Sequence, residues 1–266
     1  MYDRFNRHIN YLRVSVTDRC NLRCTYCMPE EGIRLLSHDD ILRFEEIAEV
    51  VRTAVGLGIT KIRITGGEPL VRKGIVNLVK MISEIEGILD FGLTTNGILL
   101  DLFAEDLAIA GLQRVNISLD TLDPENYGTI TRGGDLSQVL KGIDAAKKNG
   151  LNPVKINCVV KKSSSEPDAL LVREFCKANG LEVRFIPQMD LETGCFTVVE
   201  GANGGDCRNC SRLRLTASGK IKPCLFCNLE YNIRELGIRK AILQAIEFKP
   251  EKGSMNLKDR FHNIGG

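Results

Sequence analysis

Along roughly the first 190 residues, short runs of alternating apolar and polar positions are separated by stretches in which apolar residues recur at helical spacing. The alternating runs predict strands at 11–17, 60–65, 90–95, 113–119, 153–160 and 182–187. Ile41, Phe44, Ile47, Val51 and Val55 mark an amphipathic helix over 40–56, and similar patterns predict helices at 72–86, 99–110, 136–149 and 167–179. Strands separated by helices imply a parallel sheet with right-handed crossovers. The fold class expected is α/β, a partial (β/α)6 barrel over 1–189 followed by a small region over 190–266.

The polar positions of the strands carry more information than the apolar ones. Arg13, Ser15 and Thr17 share one face of the first strand, and Lys61, Arg63 and Thr65 one face of the second. Arg114, Asn116 and Ser118 repeat the pattern, as do Lys155 and Asn157. With the apolar face packed on the outer helices, the polar face lines the lumen, which in most β/α barrels is filled by branched apolar side chains. An antiparallel sheet with one wet face would also alternate, but the intervening helices argue against it. A cationic lumen predicts an anionic ligand such as a phosphate or carboxylate.

Composition changes the picture in one respect. The 266 residues carry a formal net charge of +2, which gives no reason to expect nucleic acid or a membrane as partner. The N-terminus has no apolar signal region and no apolar run is long enough to span a bilayer, so a cytoplasmic location is expected. Ten cysteines are many for that setting, where thiols serve metals or catalysis more often than disulfides.

Seven of them fall in two groups. Cys20-Asn-Leu-Arg-Cys24-Thr-Tyr-Cys27 follows the first strand. Its three thiolates suit three irons of a [4Fe–4S] cluster with the fourth iron open, whereas zinc would want a fourth ligand nearby. Gly66-Gly-Glu-Pro69 follows the second strand. There two glycines allow close backbone approach to a ligand, and Glu68 can accept from an ammonium. Thr94-Thr-Asn-Gly97 ends the third. The second group is Cys207-x-x-Cys210 with Cys224-x-x-Cys227. On spacing alone it favours structural zinc. Arg212 and Arg214, at alternate positions of a short strand beside Cys210, look more like an anion clamp.

The cysteine loop and the GGEP turn resemble the signature of the radical S-adenosylmethionine (SAM) superfamily. The stretches Tyr11–Cys20, Lys61–Pro69, Arg114–Leu122, Val154–Val160, Arg184–Ile186, Cys207–Thr216 and Ile264–Gly266 resemble the GTP 3′,8-cyclase family, which opens molybdenum-cofactor biosynthesis. The resemblance implies two [4Fe–4S] clusters and SAM as cofactors, GTP as substrate and an electron donor, with a homodimer as one assembly. Cys20, Cys24 and Cys27 would hold the SAM cluster, and Cys207, Cys210 and Cys224 the second. Tyr26, Gly67, Glu68, Ser118 and Met189 would contact SAM; Arg13, Arg63, Thr94, Lys155, Arg212 and Arg214 would contact GTP. A deoxyadenosyl radical would take the ribose 3′ hydrogen, and carbon 3′ would then attack guanine carbon 8. Arg13, Arg212 and Arg214 are counted as catalytic by the same resemblance. So are Gly265 and Gly266, which the sequence alone reads as a frayed tail.

The chain departs from the family in three places. The segment between Met189 and Cys207 is short, Cys227 is additional, and Asn6 replaces a glycine. A sister enzyme acting on another substrate such as a peptide, or a non-catalytic zinc-ribbon protein, are the alternatives. His8, His38 and His262 are scattered and read as surface or packing residues.

Overall fold

A computed structural model describes residues 1–258 and Ile264. Six parallel strands, β1 (Tyr11–Ser15), β2 (Lys61–Thr65), β3 (Asp90–Thr95), β4 (Arg114–Ser118), β5 (Lys155–Val160) and β6 (Glu182–Pro187), lie side by side in chain order. Connecting helices are α1 (Phe44–Gly56), α2 (Ile75–Ser83), α3 (Leu100–Ile109), α4 (Pro124–Thr131), α5 (Leu136–Lys148) and α6 (Pro167–Asn179). After the 190–206 segment, β7 (Arg212–Leu215) joins the free side of β1 in parallel, and β8 (Lys220–Lys222) and β9 (Tyr231–Asn232) continue the sheet antiparallel. Two short helices, α7 (Ile233–Leu236) and α8 (Ile238–Glu247), close the chain over that edge.

The apolar strand positions form one core with the helices. Leu12, Val14, Ile62, Ile64, Leu93, Val115, Ile117 and Ile156 are fully buried against it, and so are Leu213 and Leu215 of β7 and Ala241 and Ile242 of α8. The expected barrel is present, and its sheet runs on into the C-terminal region.

The helix expected at 40–56 starts later. Ile41 and Leu42 are buried, but Leu42 N–H donates to the Ala217 carbonyl at 2.8 Å, outside any helix. The helix then begins where Glu46 accepts the Arg43 N–H at 2.8 Å. The α4 helix has too weak an apolar stripe to be read from spacing. Asp123 caps it by accepting Asn126 N–H at 2.7 Å, with Pro124 at its first position. It ends at Arg132, which sits at φ +55° and donates to the carbonyls of Arg23 at 3.0 Å and Met28 at 2.9 Å. Thus α4 supports the cysteine loop.

Register turns the polar faces into layers. Arg214, Arg13 and Arg63 stand abreast on β7, β1 and β2, and Gly92 continues the row on β3. A side chain at Gly92 would collide with the Arg63 guanidinium, so glycine makes that arginine's room. At the N-terminal end of the sheet Asp90 accepts from Arg114 at 2.8 and 2.7 Å and pairs with Lys61 at 2.7 Å, while Lys155 pairs with Glu182. The cations at the floor of the lumen are therefore engaged by carboxylates.

Burial pushes the Asp90 carboxyl up, but Arg114 and Lys61 outweigh it and hold it at about 2. Because that value is depressed, its stabilisation is present above the ordinary value near 3.8 and is lost as pH falls from there through about 2. We expect Asp90→Asn to cost about 2 kcal/mol at neutral pH. The gap to the parent chain, measured by urea unfolding, should narrow below pH 3.8 and close only below about pH 2. A gap that persists there would remove the electrostatic explanation.

Candidate active site

At the C-terminal end of the strands lies a cavity of about 350 Å³. Both cysteine groups open onto it: Cys20, Cys24 and Cys27 from the loop after β1, and Cys207, Cys210 and Cys224 from the C-terminal region. Arg13, Thr94, Ser118, Arg212 and Arg214 line the strand side, with Tyr26, Gly67 and Met189 around them.

The cysteine loop is held from three sides. Cys27 and Met28 N–H groups donate to the Cys24 carbonyl at 2.9 and 3.0 Å, and Thr25 N–H donates to Ile130 of α4 at 2.9 Å. Tyr26 OH donates to Asp120 at 2.8 Å, and the other Asp120 oxygen accepts Val159 N–H at 2.7 Å. Burial pushes the Cys24 and Cys27 thiols up to about 12, and neighbouring negative charges add to it. Three thiolates crowded here require a strong positive centre among them.

The GGEP turn lies directly on the strand leading to that loop. Gly67 N–H donates to the Thr17 carbonyl and Glu68 N–H to the Arg19 carbonyl, both at 2.8 Å. A Cβ on Gly66 would sit 2.6 Å from the Thr17 oxygen, and one on Gly67 would strike the Arg19 carbonyl. Glu68 is buried and does not line the cavity. Its carboxylate accepts from Leu70 N–H at 3.0 Å, Thr95 OH at 2.8 Å and Asn96 N–H at 2.7 Å. It thus ties the second-strand turn to the Thr94–Gly97 turn. Asn96 in turn donates to Asn21 in the cysteine loop at 2.7 Å.

Arg63 and Lys155 also stand off the cavity wall. Arg63 is 1% exposed below it and donates to Asn116 at 3.0 Å, and Lys155 is taken by Glu182. Asn116, Asn157 and Arg184, to which the resemblance assigned no contact, also line the cavity. Among the described residues, buried Arg184 Nε and Thr94 Oγ1 have no hydrogen-bond partner, which offers both to a ligand. The same polar alternation, extended to the sixth strand, marks Arg184.

The second cysteine group is braced from the N-terminus. Arg7 donates to the Cys207 carbonyl at 2.8 Å, to Glu251 and Pro250 carbonyls at 2.9 and 2.7 Å, and pairs with Asp3 at 2.6 Å. Asn6, at φ +59°, supplies the left-handed turn between them. The short 190–206 segment adds Phe196, Val199 and Asp206 to the wall, and Phe196 stacks on Phe226 at 4.4 Å. Arg212 donates to the Asn203 carbonyl at 3.0 Å. Ile264 is buried with Leu191 and Phe226, and its carbonyl accepts from Arg214 at 3.4 Å. Gly265 and Gly266, expected to reach the site, lie outside the described residues.

Residues 14–175 match the Radical SAM superfamily. The chain is 42% identical to a protein named GTP 3′,8-cyclase from Thermodesulfovibrio yellowstonii over 312 aligned positions, covering 97% of each. It belongs to the GTP 3′,8-cyclase family of radical SAM enzymes. A relative of the same name from Peptoclostridium acidaminophilum is 41% identical over 319 positions, covering 100% of this chain and 98% of its own. Both alignments exceed the 266 residues present, so these family members carry stretches that this chain lacks. Among solved structures, Streptococcus suis SuiB bound to its precursor peptide SuiA superposes with a TM-score of 0.67 at 17% identity, covering 92% of this chain and 66% of that one. The anSMEcpe enzyme with bound AdoMet gives 0.62 at 16% identity, covering 91% and 81%. These likenesses show the radical SAM fold.

Family membership makes [4Fe–4S] clusters the groups to set against the cysteines, and the donor chemistry fits. Each triplet faces the cavity, and the first consists of thiols whose ionisation needs a cation. Among the described residues, no three Cys, His, Asp or Glu side chains are grouped for a single metal ion, and no helix is long and apolar enough to cross a membrane.

Proposed function

We infer that this chain is a radical SAM lyase that rearranges GTP to (8S)-3′,8-cyclo-7,8-dihydroguanosine 5′-triphosphate, the GTP 3′,8-cyclase step of molybdenum-cofactor biosynthesis. The observation that carries the reading is one cavity faced by two cysteine triplets with four arginines between them. Cys20, Cys24 and Cys27 would hold the first [4Fe–4S] cluster, and Cys207, Cys210 and Cys224 the second. Reduced and loaded with SAM, the first cluster supplies the deoxyadenosyl radical.

The chain's own residues then bind, orient and shield. Tyr26, fixed by Asp120, presents its ring to the SAM side of the cavity, with Gly67, Ser118 and Met189 completing that wall. Arg13, Arg212, Arg214 and Arg184 offer the guanidinium groups that a triphosphate needs, and Thr94 adds a hydroxyl. The stacked Phe196 and Phe226 pack with Cys224 in a small apolar cluster beside the second cysteine group. We assign residues 1–189 to the barrel and 190–266 to the region carrying the second cluster. The reading also calls for an electron donor and a cytoplasmic location, and it leaves a homodimer as the assembly to test by sedimentation.

The decisive experiment is an oxygen-free incubation with SAM, dithionite and GTP. It should yield 5′-deoxyadenosine and a product isomeric with GTP, because the hydrogen removed is replaced by an electron and a proton. Deoxyadenosine formation that ignores GTP would point to another substrate of the same lineage.

Cys227 does not line the cavity. Its thiol donates to the Cys224 and Leu229 carbonyls at 3.5 and 3.9 Å. We therefore expect Cys227→Ser to keep about eight irons per chain, whereas Cys224→Ser should fall to about four. A Cys227→Ser protein with four irons would make Cys227 a ligand.

A further inference from the structure

Lys249 is 1% exposed, just beyond α8. Its ammonium donates to the Arg212 carbonyl at 2.7 Å and to the Pro223 carbonyl. Among the described residues no carboxylate pairs with it. An uncompensated buried ammonium is costly, and two carbonyl dipoles offset only part of that cost. The two carbonyls flank the cysteine group: Arg212 lies two residues beyond Cys210, and Pro223 immediately precedes Cys224. The anion that Lys249 lacks would thus be supplied by the thiolates themselves once they hold a cluster.

We propose that Lys249 is a positioning residue for the second cluster: a buried counter-charge that clasps the Cys207–Cys210 loop to Cys224 and makes the cluster easier to reduce. The proposal rests on the assignment of Cys207, Cys210 and Cys224 as ligands. One-electron reduction adds a negative charge to the cluster, and a fixed ammonium nearby favours that state. Net charge and hydrogen bonding around the ligands are established levers on cluster potentials. Lys249 comes from a part of the chain remote from all three cysteines, so no cysteine spacing reveals it.

The test uses the full chain with Cys20→Ser, Cys24→Ser and Cys27→Ser, so that any cluster present is the second one. Iron content checks the ligand assignment first: a chain without iron would defeat that assignment and leave Lys249 no cluster to serve. With iron bound, Lys249→Gln keeps donors for the two carbonyls but removes the charge, and Lys249→Arg keeps the charge. Redox titration followed by electron paramagnetic resonance should show a more negative midpoint potential for Lys249→Gln and a near-parental one for Lys249→Arg. Loss of the cluster in Lys249→Gln alone would equally support the need for charge. An unchanged potential in Lys249→Gln, or cluster loss in both variants, would overturn the proposal.

Discussion

Replacing Cys24 with serine should abolish reductive SAM cleavage and lower the iron content from about eight to about four per chain. Cys24 is the pivot of its loop: its carbonyl accepts the N–H groups of Cys27 and Met28. Burial, with Asp120 and Cys20 adding to it, pushes its thiol up to about 12. In the empty loop at neutral pH the thiol is protonated, so a bound metal must displace the proton. Serine keeps the size and hydrogen bonding but ionises far less readily than a thiol. The backbone clasp by Thr25 N–H, and the grip of Arg132 on the Arg23 and Met28 carbonyls, do not involve the sulfur. The variant should therefore fold, keep the second cluster and still bind GTP. Anaerobic iron and sulfide analysis with a deoxyadenosine assay checks this. Wild-type cleavage in Cys24→Ser would remove the loop from the reaction.

Much of this arrangement was legible in the residue pattern. Period-two alternation placed Arg13 and Ser118 on the polar faces of barrel strands and Arg212 and Arg214 on one face of a separate short strand, and the structure puts all four on the cavity wall. Alternation fixes a face, however, and not a depth along the strand. Arg63 and Lys155 share the face of Thr65 and Asn157, yet they lie lower and are engaged by Asn116 and Glu182. Depth depends on register between strands distant in sequence, and on Gly92 opening a space that no local pattern announces. Glu68 illustrates a second limit. Its acceptor chemistry was evident, but the donors that saturate it come partly from the Thr94–Gly97 turn one strand away. The braces of the second cysteine group, Arg7 and Lys249, lie about 200 residues and a few tens of residues from their targets, where spacing carries no signal.

Removing the Arg212 or Arg214 guanidinium should weaken GTP binding. Arg214 is 8% exposed and abreast of Arg13, and burial together with Arg13 and Arg212 pushes its guanidinium down. A triphosphate would bring anions to these three guanidinium groups. Deleting one charge-assisted guanidinium–phosphate hydrogen bond should cost on the order of 1.5–3 kcal/mol. That is roughly a 10- to 150-fold rise in Kd for Arg212→Ala. Arg214→Met keeps most of the buried volume and gives up the Ile264 contact, so its GTP affinity should fall similarly, with any change in thermal unfolding temperature reporting the structural part separately. High salt should weaken parental binding and narrow the gap between parent and variant, since part of the attraction is screened. Calorimetry with GTP and a parallel melt of the ligand-free chain separate the two effects. Arg214→Met with lowered stability and unchanged affinity would make that arginine a structural tie, and the triphosphate would then have to sit against Arg13, Arg184 and Arg212.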